Sequence, residues 1–215
     1  MKEPYHLAQR LLRRASQGAL ATLSAELDGW PFASAVNLVA LADGSPVFLI
    51  SRLAEHTRNL SADARASLLL VDPFAPTEGA PRLTLIGRAE PLTLSAAERA
   101  RCLRLHAAAE QYLQLGDFAF WRLRPERLRV IGGFAAAGWV SGEAYLGAPQ
   151  LSLDDEQHLL DELATETGGT VLGVDAYGAG GVDAAGRRWR DEFTAPCTSA
   201  EAVRSAWATR RRCGG

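Results

Sequence analysis

Between Ala19 and Phe134 the chain is cut into short apolar runs by turn-forming residues, and this punctuation decides what it can fold into. The run Ala19 to Glu26 is followed by Asp28-Gly29, a pair that favours the positive φ angles of a tight hairpin. Phe32 to Leu41 is followed by Asp43-Gly44, and Pro46 to Ser51 is a third run. Ala66 to Asp72 and Arg82 to Leu92 flank a loop containing Pro73, Pro76, Gly79 and Pro81. Phe118 to Leu123 and Leu128 to Phe134 come last, and Pro125 is expected to split them. About six short strands without regular strand–helix alternation disfavour a doubly wound parallel sheet. They favour a mostly β, antiparallel barrel, because closure removes exposed edges.

Helices are few in this region. Tyr5, Ala8, Leu11, Leu12 and Ala15 recur at helical spacing behind Pro4, with Gly18 as the expected end. Glu55 to Asp63 reads as a short crossing helix. Ser95 with Glu98 three residues on forms a capping box. Cys102, Leu105, His106, Ala109, Tyr112 and Leu113 then extend that helix along one face. The pattern breaks near Gly142 to Pro149, which sets expected domains at 1–145 and 146–215. The second stretch carries 11 acids and 7 arginines, a formal −4, against +2 for the first. It reads as a small α+β unit. A helix spans Asp154 to Thr165 and a strand Thr170 to Tyr177. A turn follows at Gly178 to Gly181, then short strands at Val182-Asp183 and Arg187 to Phe193. A final helix is capped by Thr198 and Glu201.

Composition narrows the functional classes. The 215 residues carry 23 basic and 25 acidic side chains, a net charge of −2, which gives no reason to expect a nucleic-acid partner. Lys2 is the only lysine, so 22 basic residues are arginine, a group suited to phosphate and carboxylate but also enriched by codon bias. Cys102, Cys197 and Cys213 form no C-x-x-C pair, which fits a reducing, cytoplasmic setting. The first residues, MKEPYHLAQRLLRR, do not read as a signal peptide, and no run is long enough for a membrane helix. There is no Walker sequence, no His-Glu-x-x-His and no Gly-x-Ser-x-Gly. The four histidines, His6, His56, His106 and His158, lie far apart without metal-ligand spacing.

The most informative stretch is Ile50-Ser-Arg-Leu-Ala-Glu-His-Thr-Arg-Asn-Leu60. A strand ends at Ser51 and a helix begins near Glu55, with Ser51, Arg52, His56, Thr57, Arg58 and Asn59 at the junction. Free N–H groups at a helix start attract phosphate, and hydroxyl, imidazole and guanidinium groups can complete a cradle. A solvated helix start has the same composition.

Together with Pro31-Phe-Ala-Ser-Ala-Val36, Ala66-Ser-Leu-Leu-Leu-Val71, Arg82-Leu-Thr-Leu-Ile-Gly87, Phe118-Ala-Phe-Trp-Arg-Leu123 and Val130-Ile-Gly-Gly-Phe134, that stretch resembles the FMN-binding split β-barrels related to pyridoxamine 5′-phosphate oxidase. The haem-utilisation (HugZ-type) branch, with its small C-terminal α+β domain, is the most similar. The resemblance implies a six-stranded antiparallel split barrel with flanking helices, and a homodimer with FMN at the subunit interface. It places Ser34, Ala35, Val36 and Asn37 along the flavin. It places Ser51, His56 and Thr57 on the phosphate, with Arg58 nearby, and Arg82 near the ring from the other side. Gly132-Gly133-Phe134 would allow close approach of a neighbouring chain segment.

Two features depart from the family. No pyridoxamine oxidase substrate signature is visible at the C-terminus. The His-Met-Asn-x-Asp-His run of the haem branch is replaced by Leu159-Leu-Asp-Glu-Leu-Ala-Thr-Glu-Thr167, leaving His158 as the one haem-ligand candidate there. The main expectation is an FMN-dependent oxidoreductase acting on a small-molecule substrate. A haem-binding or haem-degrading protein and a non-catalytic dimeric binding scaffold are the alternatives.

Overall fold

The computed structural model describes residues 4–76, 78–132, 137–167 and 169–213. The chain divides into two units, Met1–Ala148 and Pro149–Gly215.

In the first unit, α1 (Pro4–Arg14) leads into β1 (Gln17–Leu23), β2 (Pro31–Ala40) and β3 (Pro46–Ser51). Then come α2 (Glu55–Ala62), β4 (Arg65–Val71), β5 (Arg82–Pro91), α3 (Ala96–Leu105) and α4 (Ala109–Gln114). β6 (Phe118–Ile131), β7 (Ala137–Ser141) and α5 (Gly142–Leu146) complete it. The sheet order is β3-β2-β1-β4-β5-β6-β7, and β3 also pairs with β6. That pairing closes six antiparallel strands into a barrel, as the punctuation of the sequence implied; β7 is an extra strand on β6.

Alternation decides which face is core. On β4, Ala66, Leu68 and Leu70 point inward, and Arg65, Leu69 and Val71 outward. Leu20, Phe48, Leu83, Leu85, Leu123 and Leu128 fill the interior, each contributing roughly 1.5–3 kcal/mol by leaving water. β3 is apolar on both faces because its outer side is also covered, with Val47 joining Val39, Leu41 and Cys102 of α3 in a second cluster. α1 buries Ala8, Leu11 and Leu12, and its buried Gln9 donates from Nε2 to the Tyr145 carbonyl at 2.7 Å. Tyr145 in turn donates to the Gly44 carbonyl at 2.9 Å.

Several expectations need correction. Gly18 does not end the first helix; it sits inside β1, where a Cβ would meet the Leu70 side chain at 2.6 Å. The helix opened by Ser95 does carry its capping box, but it stops at His106, whose angles (φ −120°, ψ 92°) leave the helical region, and a separate short helix follows. Pro125 does not split the last strand. Its neighbour Glu126 is the extra residue of a β-bulge, with Gly87 facing Pro125 and Ile86 facing Arg127, and a bulge is where proline is tolerated. β7 carried no sequence signal of its own. Of the glycine pair and phenylalanine at 132–134, Gly133 and Phe134 lie outside the described residues.

The second unit contains α6 (Leu153–Thr167), β8 (Thr170–Asp175), β9 (Gly178–Val182), β10 (Arg188–Glu192), α7 (Ala200–Trp207) and β11 (Arg211–Cys213), with sheet order β11-β10-β9-β8. Gly178 to Gly181 form a strand, not a turn. Their lack of side chains lets neighbours approach, since a Cβ on Gly181 would stand 1.9 Å from the Thr170 carbonyl oxygen. Ser199, not Thr198, caps α7 by accepting from the Ala202 N–H at 3.2 Å. Arg210 pairs with buried Asp191 at 3.1 Å and covers the Trp207 ring at 3.9 Å, and the next three residues form β11.

Candidate functional site

The junction between β3 and α2 is held from two sides. At its start, Ser51 donates its hydroxyl to the Asp117 carboxylate and accepts from the Leu53 N–H at 3.0 Å. The Arg52 N–H reaches the Asp117 carbonyl at 2.8 Å, and its guanidinium reaches the Gly116 carbonyl at 3.2 Å. On the far side, the fully buried Asn59 donates to Thr22 Oγ1 at 3.0 Å and accepts from the Ala25 N–H at 2.9 Å. Asn59 thereby ties α2 to the β1–β2 hairpin, whose turn holds Asp28 and Gly29 at φ 49° and 78°.

Between these anchors, the residue preceding α2, Ala54, supplies no side-chain cap. Ser34 Oγ lies 3.1 Å from His56 Nδ1. When the serine hydroxyl donates, the imidazole proton resides on Nε2. That Nε2 and Thr57 Oγ1 are both covered, and neither has a hydrogen-bond partner among the described residues. Two covered donors without acceptors beside an uncapped helix start suit a small anion or hydroxylated group.

The other sequence candidates are placed differently. Arg58 is engaged by Glu55, by Glu26 at 3.7 Å and by the Leu53 carbonyl at 3.2 Å. Ala35 is exposed and Val36 is core. Asn37 accepts from Gln17 Nε2 at 3.1 Å. Ser34 and Ala35 also line a cleft of about 450 Å³ on the outer face, with Ala19, Ala33, Leu69 and Val71. Exposed Arg82 is the cross-strand neighbour of Val71 at the margin of that cleft. Thus Ser34 and His56 come together, with Thr57 next in the helix; Ser51 and Arg58 have turned to carboxylates, and Arg82 stands across the cleft. Sequence reasoning missed Asp117. Its signal was only a lone acid after Gly116, and its partner Ser51 is 66 residues away. His158 is exposed on α6 in the second unit. Among the described residues no three His, Cys, Asp or Glu side chains form a metal-holding group.

Burial lowers the pKa of His56 and of His106 below the ordinary histidine value. The folded chain therefore binds protons less readily than the unfolded chain, so stability falls as pH drops below about 6.5. Melting curves are expected to shift down between pH 7.5 and 5.5, and the shift should shrink in His56→Gln/His106→Gln. An equal shift in that variant would remove these two rings as its source.

A closed six-stranded barrel of this topology, with a helix crossing after its third strand, is the split-barrel class. The chain belongs to the CREG β-barrel family, whose model matches residues 1–147. It is 36% identical over 142 residues to the chloroplastic non-canonical heme oxygenase HOZ of Arabidopsis thaliana, a match covering 65% of this chain and 44% of that protein. The chain thus spans less than half the length of that curated relative. The structure of a heme binding protein from Mycobacterium smegmatis is 31% identical, covers 97% of this chain and 96% of that one, and superposes with a TM-score of 0.65. A pyridoxinephosphate oxidase family protein from Clostridium acetobutylicum, 15% identical over 66% of this chain and 96% of its own, shares the fold with a TM-score of 0.50. No described helix is long and apolar enough to cross a membrane.

Proposed function

We propose that this is a haem-binding split-barrel protein. The observation that carries the reading is the likeness to the Mycobacterium smegmatis heme binding protein along 97% of the chain, which includes the small second unit as well as the barrel. The likeness of the barrel to HOZ supports haem breakdown as its activity. This ordering reverses the expectation from sequence, in which FMN oxidoreductase chemistry came first. Exposed His158 is the candidate iron ligand. Hemin titration followed in the Soret region tests the reading. A saturable, shifted band is expected, and a spectrum identical to hemin in buffer would overturn it. Unchanged Soret behaviour in His158→Ala would remove that residue alone.

A second reading rests on a specific observation, the partnerless His56 Nε2 and Thr57 Oγ1. In it, Ser34, His56 and Thr57 hold the phosphate of FMN, and the flavin supplies redox capacity beside Ala35 in the outer cleft. The paired change His56→Ala/Thr57→Ala should then weaken FMN binding about tenfold or more, the worth of one charge-assisted hydrogen bond. Equal affinity would reject the site. A homodimer belongs to both readings, supported by the outward apolar side chains Leu69 and Val71.

A further inference from the structure

Many arginines of this chain are matched to a carboxylate, as in Arg14–Asp72, Arg65–Asp63, Arg122–Glu90 and Arg190–Asp175. One cluster breaks that habit. On the outer face of β6, Arg127 and Arg129 point the same way, two residues apart. Their guanidinium carbons lie 5.2 Å and 5.5 Å from the ring centre of Trp139, which is 52% exposed on β7.

Strand register builds a platform around them. One row across three strands runs Thr84, Arg129, Trp139; the next runs Ile86, Arg127, Ser141. Ile86 and Trp139 give this surface exposed apolar area, while Thr84 and Ser141 add hydroxyls. The acid next in sequence, Glu126, is paired with Arg88 at 3.3 Å. Two like charges held on one indole repel each other and are only partly offset by the ring quadrupole. An anion between them relieves that repulsion, and an arginine fork is shaped for a carboxylate. The half-apolar surround matches an apolar ligand that carries its anionic groups at one edge.

We infer that Arg127, Arg129 and Trp139 form a carboxylate-binding subsite for the edge of a planar dicarboxylic tetrapyrrole. The inference rests on the haem-binding reading and adds which groups take the carboxylates. It requires no contribution from the Ser34–His56–Thr57 corner.

The test compares hemin with its dimethyl ester, which keeps the ring and iron but removes both negative charges. Both are titrated in one detergent buffer into wild type, Arg127→Gln/Arg129→Gln, Trp139→Phe and the control Arg187→Gln. Wild type should prefer hemin over the ester by about tenfold, the worth of one exposed charge-assisted contact. The double variant should lose that preference, Trp139→Phe should keep part of it, and the control should match wild type. Thermal melts confirm that the variants are folded. A double variant that still discriminates against the ester like wild type overturns the subsite while the haem reading stands. Wild type that binds neither compound overturns both.

Discussion

Gly87→Ala is expected to destabilise the barrel by about 3 kcal/mol or more, at the upper end of overpacking costs. A Cβ at this position would stand 2.0 Å from the Arg124 carbonyl oxygen and 2.9 Å from its carbon. Neither atom is the end of a flexible side chain. Both belong to β6 at the bulge where Gly87 faces Pro125, so relief requires moving the β5–β6 ladder itself. For a chain of this size, such a loss lowers the melting temperature by roughly 6–12 °C. The contrast is Gly29→Ala. There the cost is only the positive φ of 78°, about 1 kcal/mol, because a Cβ would meet nothing within 4 Å. Equal melting temperatures for the two variants would contradict the tight approach at the bulge.

Asp175→Ala is expected to destabilise the second unit by about 3–5 kcal/mol, the usual cost of breaking a buried pair. Asp175 pairs with Arg190 at 2.9 Å, and the two side chains are 9% and 5% exposed. Its carboxylate also accepts the Tyr177 N–H at 2.8 Å. Removing it strands a guanidinium whose Nε already lacks a partner in the covered interior. Asp175→Leu combined with Arg190→Met should recover much of the loss, because no charge is left behind. Urea unfolding of the three proteins checks this. A single variant as stable as wild type would show that the pair is solvated in solution.

The barrel was legible because its information is local. Alternation on β4 and the turn pairs at Asp28-Gly29 and Asp43-Gly44 are set within a few residues, and these elements appear where their patterns put them. What failed was non-local. Pro125 is harmless only because the bulge beside it places Gly87 opposite, a fact written 38 residues away in the chain. The glycines of β9 read as a turn until β8 and β10 press against them. The separation of α3 from α4 at His106 has no glycine or proline to announce it. The site was half legible for the same reason. The polar run from Ser51 to Asn59 marks the junction, and the resemblance sets Ser34 along the flavin; the contact of Ser34 with His56 is visible only in the fold. The Asp117 carboxylate that engages Ser51, the Glu26 carboxylate near Arg58, and the indole that gathers Arg127 and Arg129 come from other strands and loops. The arginine excess likewise reads as one compositional trait, yet the fold separates structural pairs such as Arg190–Asp175 from the outward pair on Trp139.

The most direct measurement is the visible spectrum of the protein purified from cells supplied with a haem precursor, followed by denaturing extraction of whatever is bound. The account predicts a Soret band in the intact protein and haem in the extract. A colourless protein, or one that releases flavin alone, would contradict it.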